Sequence, residues 1–79
     1  MINYSILWVD DEIESLKSHI LFLKDKGFSV NTVSNGYDAI DIVSKNNFDL
    51  IFLDENMPGL SGLETLEKIK EISNVPVVM

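Results

Sequence analysis

Two four-residue runs, Ile6-Leu7-Trp8-Val9 and Leu50-Ile51-Phe52-Leu53, are apolar at every position, and each runs straight into aspartate. A strand with one wet face alternates apolar and polar residues, so an uninterrupted run predicts a strand covered on both faces, as in a parallel sheet. Phe28-Ser29-Val30-Asn31-Thr32-Val33 does alternate, which predicts an edge strand with one wetter side. Val75-Pro76-Val77-Val78-Met79 reads as a further strand, with Pro76 tolerated near its start.

The segments between these runs carry helical patterns. Ile13, Leu16, Ile20 and Leu23 recur at spacings that put them on one face, and Gly27 follows where a helix ends in a left-handed residue. Ser34-Asn35 is placed to cap a second helix carrying Ala39, Ile40 and Val43, with Asn46-Asn47 closing it. Ser61 followed by Glu64 is a capping box, and Leu63, Leu66, Ile69 and Ile72 supply a third stripe. Leu21 and Phe22 lie off the first stripe; they either widen a core face or are covered by a further helix or a partner. The order is thus β-α-β-α-β-α-β, an α/β chain with a parallel sheet and right-handed crossovers. With the alternating strand at the edge, the spatial order begins 2-1-3, a flavodoxin-like arrangement. Its crevice opens at the carboxyl ends of the first and third strands.

Seventy-nine residues make one small domain at most. Without cysteine, disulfides and thiolate metal sites are excluded. Runs such as Ile20-Leu21-Phe22-Leu23 are too short to span a bilayer, and Met1-Ile2-Asn3-Tyr4 lacks the basic start of a secretion signal. The expectation is a soluble intracellular protein with no membrane role. A net charge of −7, with six lysines and no arginine, argues against nucleic-acid binding by these residues, because phosphate neutralisation needs clustered cations. It suits a divalent cation or a basic protein partner.

Asp10 and Asp11 follow the first strand and Asp54 follows the third. If those strands are neighbours, three carboxylates stand beside one crevice, and a cation among them would offset their repulsion. Oxygen ligands of this kind suit Mg²⁺ better than a soft metal. The competing explanation of Asp10-Asp11-Glu12 is helix capping with favourable dipole charge. It accounts for one acid, but not for two adjacent acids plus Asp54. Glu12 and Glu55 are assigned to the rim, and the single His19, on the margin of a helical stripe, to a structural role. No Gly-x-Gly-x-x-Gly follows the first strand, no P-loop exists, and neither Ser5 nor Ser18 sits at a strand-to-helix elbow near His19. A phosphatase built on two strand-end aspartates would need them one residue apart, whereas Asp10 and Asp11 are adjacent.

The stretch FLDENMPGLSGLE, residues 52–64, taken with VDDE at 9–12, resembles the receiver domain of two-component response regulators. The shared pattern is paired acids after the first strand, then Asp-x-x-Met-Pro-x-x-x-Gly after the third: Asp54, Met57, Pro58, Gly62. The resemblance extends over the whole chain and includes Asn35-Gly36 with Ala39. It implies a CheY-like sheet of order 2-1-3-4. Residues 1–79 would then be a partial receiver domain, ending within or just after the fourth strand and lacking the fifth strand and last helices. It also implies that Asp54 is the phosphate acceptor, served by a sensor histidine kinase. Mg²⁺ would be bound by the Asp11 and Asp54 carboxylates and the backbone carbonyl of Asn56, with Asp10 acting through water. Pro58 and Gly59 would fix the turn that presents Asn56, with Met57 as packing. No catalytic residue beyond Asp54 is implied, so the expectation is a cytoplasmic signalling module and not an enzyme.

The phrases ILWVDDE, SHI and FLDENMPGLSGLETL resemble more narrowly the PorX-type regulators linked to type IX secretion. Those join a receiver to an alkaline-phosphatase-like output domain, which implies a C-terminal output domain in the parent protein. The chain departs from the family pattern at its end. The family's Ser or Thr after the fourth strand, and its Lys and aromatic on the fifth, are not among these residues, and all six lysines fall in helical segments. The expectation is a fragment of a longer protein, or a chain stabilised by homodimerisation or strand exchange. Two other functions stay open: a phosphate-independent, receiver-like interaction module, and a Mg²⁺-dependent phosphohydrolase, for which no general base or second nucleophile is evident.

Overall fold

The computed structural model describes residues 4–79. Met1, Ile2 and Asn3, part of the N-terminal stretch considered above, lie outside the described residues. Four strands, β1 (Ser5–Val9), β2 (Ser29–Val33), β3 (Leu50–Leu53) and β4 (Val77–Val78), alternate with the helices α1 (Lys17–Asp25), α2 (Gly36–Lys45) and α3 (Gly62–Ile72). The strands are parallel and lie in the predicted order β2-β1-β3-β4. β4 is shorter than predicted. Pro76 gives its carbonyl to the Ile51 N–H at 3.0 Å, but it has no N–H of its own to return, so the ladder is confined to two residues.

Successive side chains of β1 and β3 point to opposite faces, which is why both runs are apolar throughout. Leu7, Val9, Ile51 and Leu53 face α2 and α3 and pack with Ala39, Val43, Met57 and Ile69. Five of these, Leu7, Val9, Ala39, Ile51 and Ile69, are completely shielded from water. On the other face Ile6 and Val30 pack with Ile20 of α1, flanked by half-buried Trp8, Leu50 and Phe52. An open groove of about 350 Å³ lies there, lined by Trp8, Ser18, His19, Phe22, Leu23 and Phe52. Leu21 and Phe22 are 66% and 61% exposed, so they do not widen the core face of α1. His19, on the margin of the α1 stripe, is exposed and lines this groove.

Two local expectations need correction. The stripe beginning at Ile13 is not one continuous helix: Ile13–Leu16 form a tight 3-10 turn before α1 starts at Lys17. Glu12 holds that turn, its carbonyl accepting both the Ser15 N–H at 3.0 Å and the Ser15 hydroxyl at 2.8 Å. The buried face of α3 matches the predicted stripe only in part, at Ile69 and half-buried Leu66. Leu63 and Ile72 are 61% and 48% exposed, while Gly62, Thr65 and Ile69 are buried. The cause is a close crossing with α2, where the bare Gly36 faces Thr65 so tightly that a Cβ would overlap Oγ1. The Thr65 hydroxyl donates to the Ser61 carbonyl at 2.7 Å, so its burial leaves no polar atom unpaired.

The predicted caps are formed. Asn35 Oδ1 accepts the Asp38 N–H at 2.8 Å, and Gly27 ends α1 at φ +98°. In α3 the Ser61 hydroxyl accepts the Glu64 N–H at 3.1 Å, while the Glu64 carboxylate accepts the Ser61 N–H at 3.2 Å. That backbone bond is the main reason the Glu64 carboxyl is held below the usual glutamate range. A carboxyl lowered in the folded state stabilises it above the unfolded pKa of about 4.3, and the contribution is lost as pH falls through the lower folded value. Ser61→Ala is expected to cost about 1 kcal/mol in urea denaturation at pH 7. Glu64→Gln, which keeps an acceptor but cannot titrate, is expected to flatten the acid limb of the stability curve.

Candidate metal centre at the strand tips

β1 and β3 are in register, with Val9 opposite Leu53, so the residues that follow emerge level with one another. The Asp54 N–H donates to the Val9 carbonyl at 2.9 Å and the Asp10 N–H to the Val33 carbonyl at 3.1 Å. Each ladder therefore continues one residue past the strand and fixes the backbone that carries an acid. As a result Asp10, Asp11 and Asp54 bring carboxylate oxygens within 4.8 Å of one another. Asp10 and Asp54 are half-buried and Asp11 is exposed.

The sequence-predicted acids are thus brought together. Among the described residues both ion pairs lie elsewhere, Lys17 with Glu14 and Lys45 with Asp41, so no lysine neutralises the cluster. Asp10 Oδ1 accepts the Glu12 N–H at 2.8 Å, and Asp54 Oδ1 faces the Asn56 N–H at a long 3.4 Å. Helix capping does not account for the acids. Glu12 precedes the 3-10 turn and Leu16 precedes α1, and neither makes a side-chain capping bond. Three uncompensated carboxylates form an all-oxygen donor set with one solvent-facing member. That chemistry fits Mg²⁺, which takes one or two carboxylates and keeps several waters.

Asn56 is exposed, with an anchor on each side. The Glu55 carbonyl accepts the Gly62 N–H at 3.2 Å, and the Met57 side chain is 8% exposed within the α2–α3 core, as predicted for packing. Gly59 takes a positive φ of +81°, which a turn after Pro58 requires. Glu12 and Glu55 are exposed, as assigned. His19 belongs to the groove, away from the acids' donor set. Sequence reasoning placed Gly62 only as a motif position, although a glycine directly after an N-cap serine, at the first helical residue, is itself a sign of close backbone approach.

The response regulator receiver domain family matches residues 6–79. The chain is 42% identical over 74 residues to the transcriptional regulatory protein CpxR homolog of Haemophilus influenzae, a match covering 94% of this chain and 32% of that protein. It is similar to the response regulator protein TrrA of Thermotoga maritima, solved in complex with Mg²⁺-BeF. There the TM-score is 0.86 at 32% identity, over 96% of this chain and 67% of that one. A structure of histidine kinase ThkA in complex with TrrA matches with a TM-score of 0.84 at 33% identity, over 94% of this chain and 65% of that one. The chain spans about a third of the length of the curated relatives it matches.

Proposed function

The chain belongs to the response regulator receiver domain family of two-component signalling, and on that premise we propose that Asp54 accepts a phosphoryl group from a sensor histidine kinase, with Mg²⁺ bound beside it. The observation that carries this reading is the convergence of Asp10, Asp11 and Asp54 within 4.8 Å at the tips of neighbouring strands. The Asp11 and Asp54 carboxylates and the backbone carbonyl of Asn56 would hold the metal, with Asp10 acting through water. The ion supplies positive charge that offsets the repulsion between a carboxylate and an anionic phosphoryl group.

The rest falls to the chain. Asp54 is held by its N–H on Val9, and its Oδ1 is directed to the Asn56 N–H, which leaves the other oxygen to attack phosphorus. The new bond joins that oxygen to phosphorus as the bond from phosphorus to the donor imidazole nitrogen breaks, and the imidazole departs as the leaving group. The structures of TrrA with Mg²⁺-BeF and with a histidine kinase support both the metal and the partner.

The same reading takes residues 1–79 as the receiver part of a longer cytoplasmic regulator and not as an enzyme in its own right. On the resemblance of residues 6–12, 18–20 and 52–66 to the PorX-type regulators, the reading extends to an alkaline-phosphatase-like output domain in the parent protein. The exposed Val78 of β4 and the adjoining Met79 support self-association or strand exchange. Incubation with acetyl phosphate and Mg²⁺ followed by intact-mass measurement tests the central claim. A labile phosphoryl adduct is expected, absent from Asp54→Asn and absent without Mg²⁺. A folded protein that takes up no phosphate favours the phosphate-independent interaction module, and continuous phosphate release over many turnovers favours a phosphohydrolase.

A further inference from the structure

We propose that Gly62 is a positioning residue for the phosphoacceptor, an inference that rests on the reading of Asp54 given above. The missing side chain lets the first turn of α3 seat directly on the backbone of Asp54 and Glu55. That seat sets where the Asp54 carboxylate and the Asn56 carbonyl stand.

Gly62 is the first residue of α3 and is buried. A Cβ built there would overlap the Asp54 carbonyl oxygen and lie 2.7 Å from Glu55 Cα. The third neighbour, Met79 Cε at 3.0 Å, is the end of a flexible side chain and can move. The backbone of Asp54 and Glu55 cannot be trimmed, and moving it means moving the acid itself. The requirement is one of space, because the glycines with positive φ are Gly27 and Gly59.

α3 is not free to retreat from such a clash. Thr65 is pressed against Gly36 one turn later, and Ile69 is completely buried in the core. The strain is therefore directed to the start of the β3–α3 loop. There the Gly62 N–H on the Glu55 carbonyl and the 3.4 Å approach of the Asn56 N–H to Asp54 Oδ1 are the local ties. Mg²⁺ demands near-ideal octahedral geometry, so a small displacement of two of its expected ligands is costly to binding.

Gly36 provides the internal control. Its close neighbours are all side-chain atoms, Thr65 Oγ1 and Leu60 Cβ and Cδ2, so Gly36→Ala disturbs the α2–α3 crossing without pressing on the strand tip. The experiment uses the 79-residue chain, with Mg²⁺ affinity read from amide shifts, the initial rate of Asp54 labelling by acetyl phosphate, and urea stability. Gly62→Ala is expected to weaken Mg²⁺ binding and slow labelling by about tenfold to a hundredfold, the scale set by misplacement of a reacting group by about 1 Å. Gly36→Ala is expected to lower stability and leave Mg²⁺ affinity at its wild-type value, with stability partly restored by adding Thr65→Ala.

Wild-type Mg²⁺ affinity and labelling rate in Gly62→Ala overturn the inference while leaving the function intact. If Gly62→Ala does not fold, the wild-type titration decides. The Gly62 amide is expected to move with the same midpoint as those of Asp54 and Asn56, and a Gly62 amide unmoved at saturation overturns the proposal. A wild-type chain that neither binds Mg²⁺ nor takes up phosphate overturns the functional reading and this inference together.

Discussion

Asp11→Asn is expected to make the metal-free chain more stable and to abolish most of its stabilisation by Mg²⁺. Asp10, Asp11 and Asp54 stand within 4.8 Å of one another, and neither ion pair of the described residues involves them. Two unit charges about 5 Å apart repel by roughly 1 kcal/mol in a water-like medium and more where water is partly excluded. At ordinary ionic strength the screening length is about 8–10 Å, so salt removes only part of this. Neutralising Asp11 relieves two such repulsions. Among the described residues its carboxylate accepts no hydrogen bond that asparagine would forfeit. Because Asp11 is exposed, the gain belongs at the lower end, about 1 kcal/mol. Mg²⁺ acts in the opposite sense. A ligand at 100 times its dissociation constant stabilises the folded state by about 2.7 kcal/mol, and removing an expected direct ligand is to remove most of that. Urea denaturation with excess Mg²⁺ and with a chelator reads both effects. Glu67→Gln, which equally removes one negative charge, on the exposed face of α3, controls for general self-repulsion. Equal Mg²⁺ stabilisation of wild type and Asp11→Asn would show that the ion is not bound at these tips.

The parts of the fold that could be read in advance are those where one segment carries its own signal. Ile6–Val9 and Leu50–Leu53 are apolar throughout because helices pack on both sides, whereas Asn31 and Thr32, on opposite faces of β2, are both exposed because that strand lies at the edge. Those two patterns place β1 beside β3, and with them the three aspartates. What stayed hidden depends on partners distant in sequence. The α3 stripe held at Leu66 and Ile69 but went astray at its two ends, because hydrophobicity favours Leu63 and Ile72, whereas Gly36 on another helix admits only a small residue, and Thr65 satisfies its own hydroxyl. The break after Leu16 was invisible for a different reason: apolar spacings of three and four hold a shared face in a 3-10 turn as well as in an α-helix. Leu21 and Phe22 read either as a wider core face or as covered by a further helix or a partner, because what decides is which neighbour reaches them.

Leu7→Ala is expected to destabilise the chain more than Trp8→Ala, although the second deletes far more atoms. Leu7 is completely buried on the α2–α3 face, at the middle of a strand paired on both sides. Truncating such a leucine removes about 2–5 kcal/mol, the spread reflecting how far the cavity can collapse. At about 0.05–0.15 kcal/mol per residue a chain of this size holds only about 4–12 kcal/mol in all, and small domains bury a smaller share of their surface. The loss is thus about a sixth of the total at the very least, and a largely unfolded protein where a large loss meets the lower end of that range. Trp8 points the other way, half-buried in the open groove with its ring centroid 4.9 Å from that of Phe52. Much of its surface is wet in the folded state, so its removal exposes less new apolar area. Far-ultraviolet circular dichroism in urea, which does not depend on the tryptophan, measures both variants. The Asp10–Asp11 pair continues directly from β1, so Mg²⁺ is expected to refold part of the Leu7→Ala population by mass action. A larger loss for Trp8→Ala that grows with protein concentration would mean that a second copy covers the groove in solution, and the order of the two faces in the stability of this chain would have to be reversed.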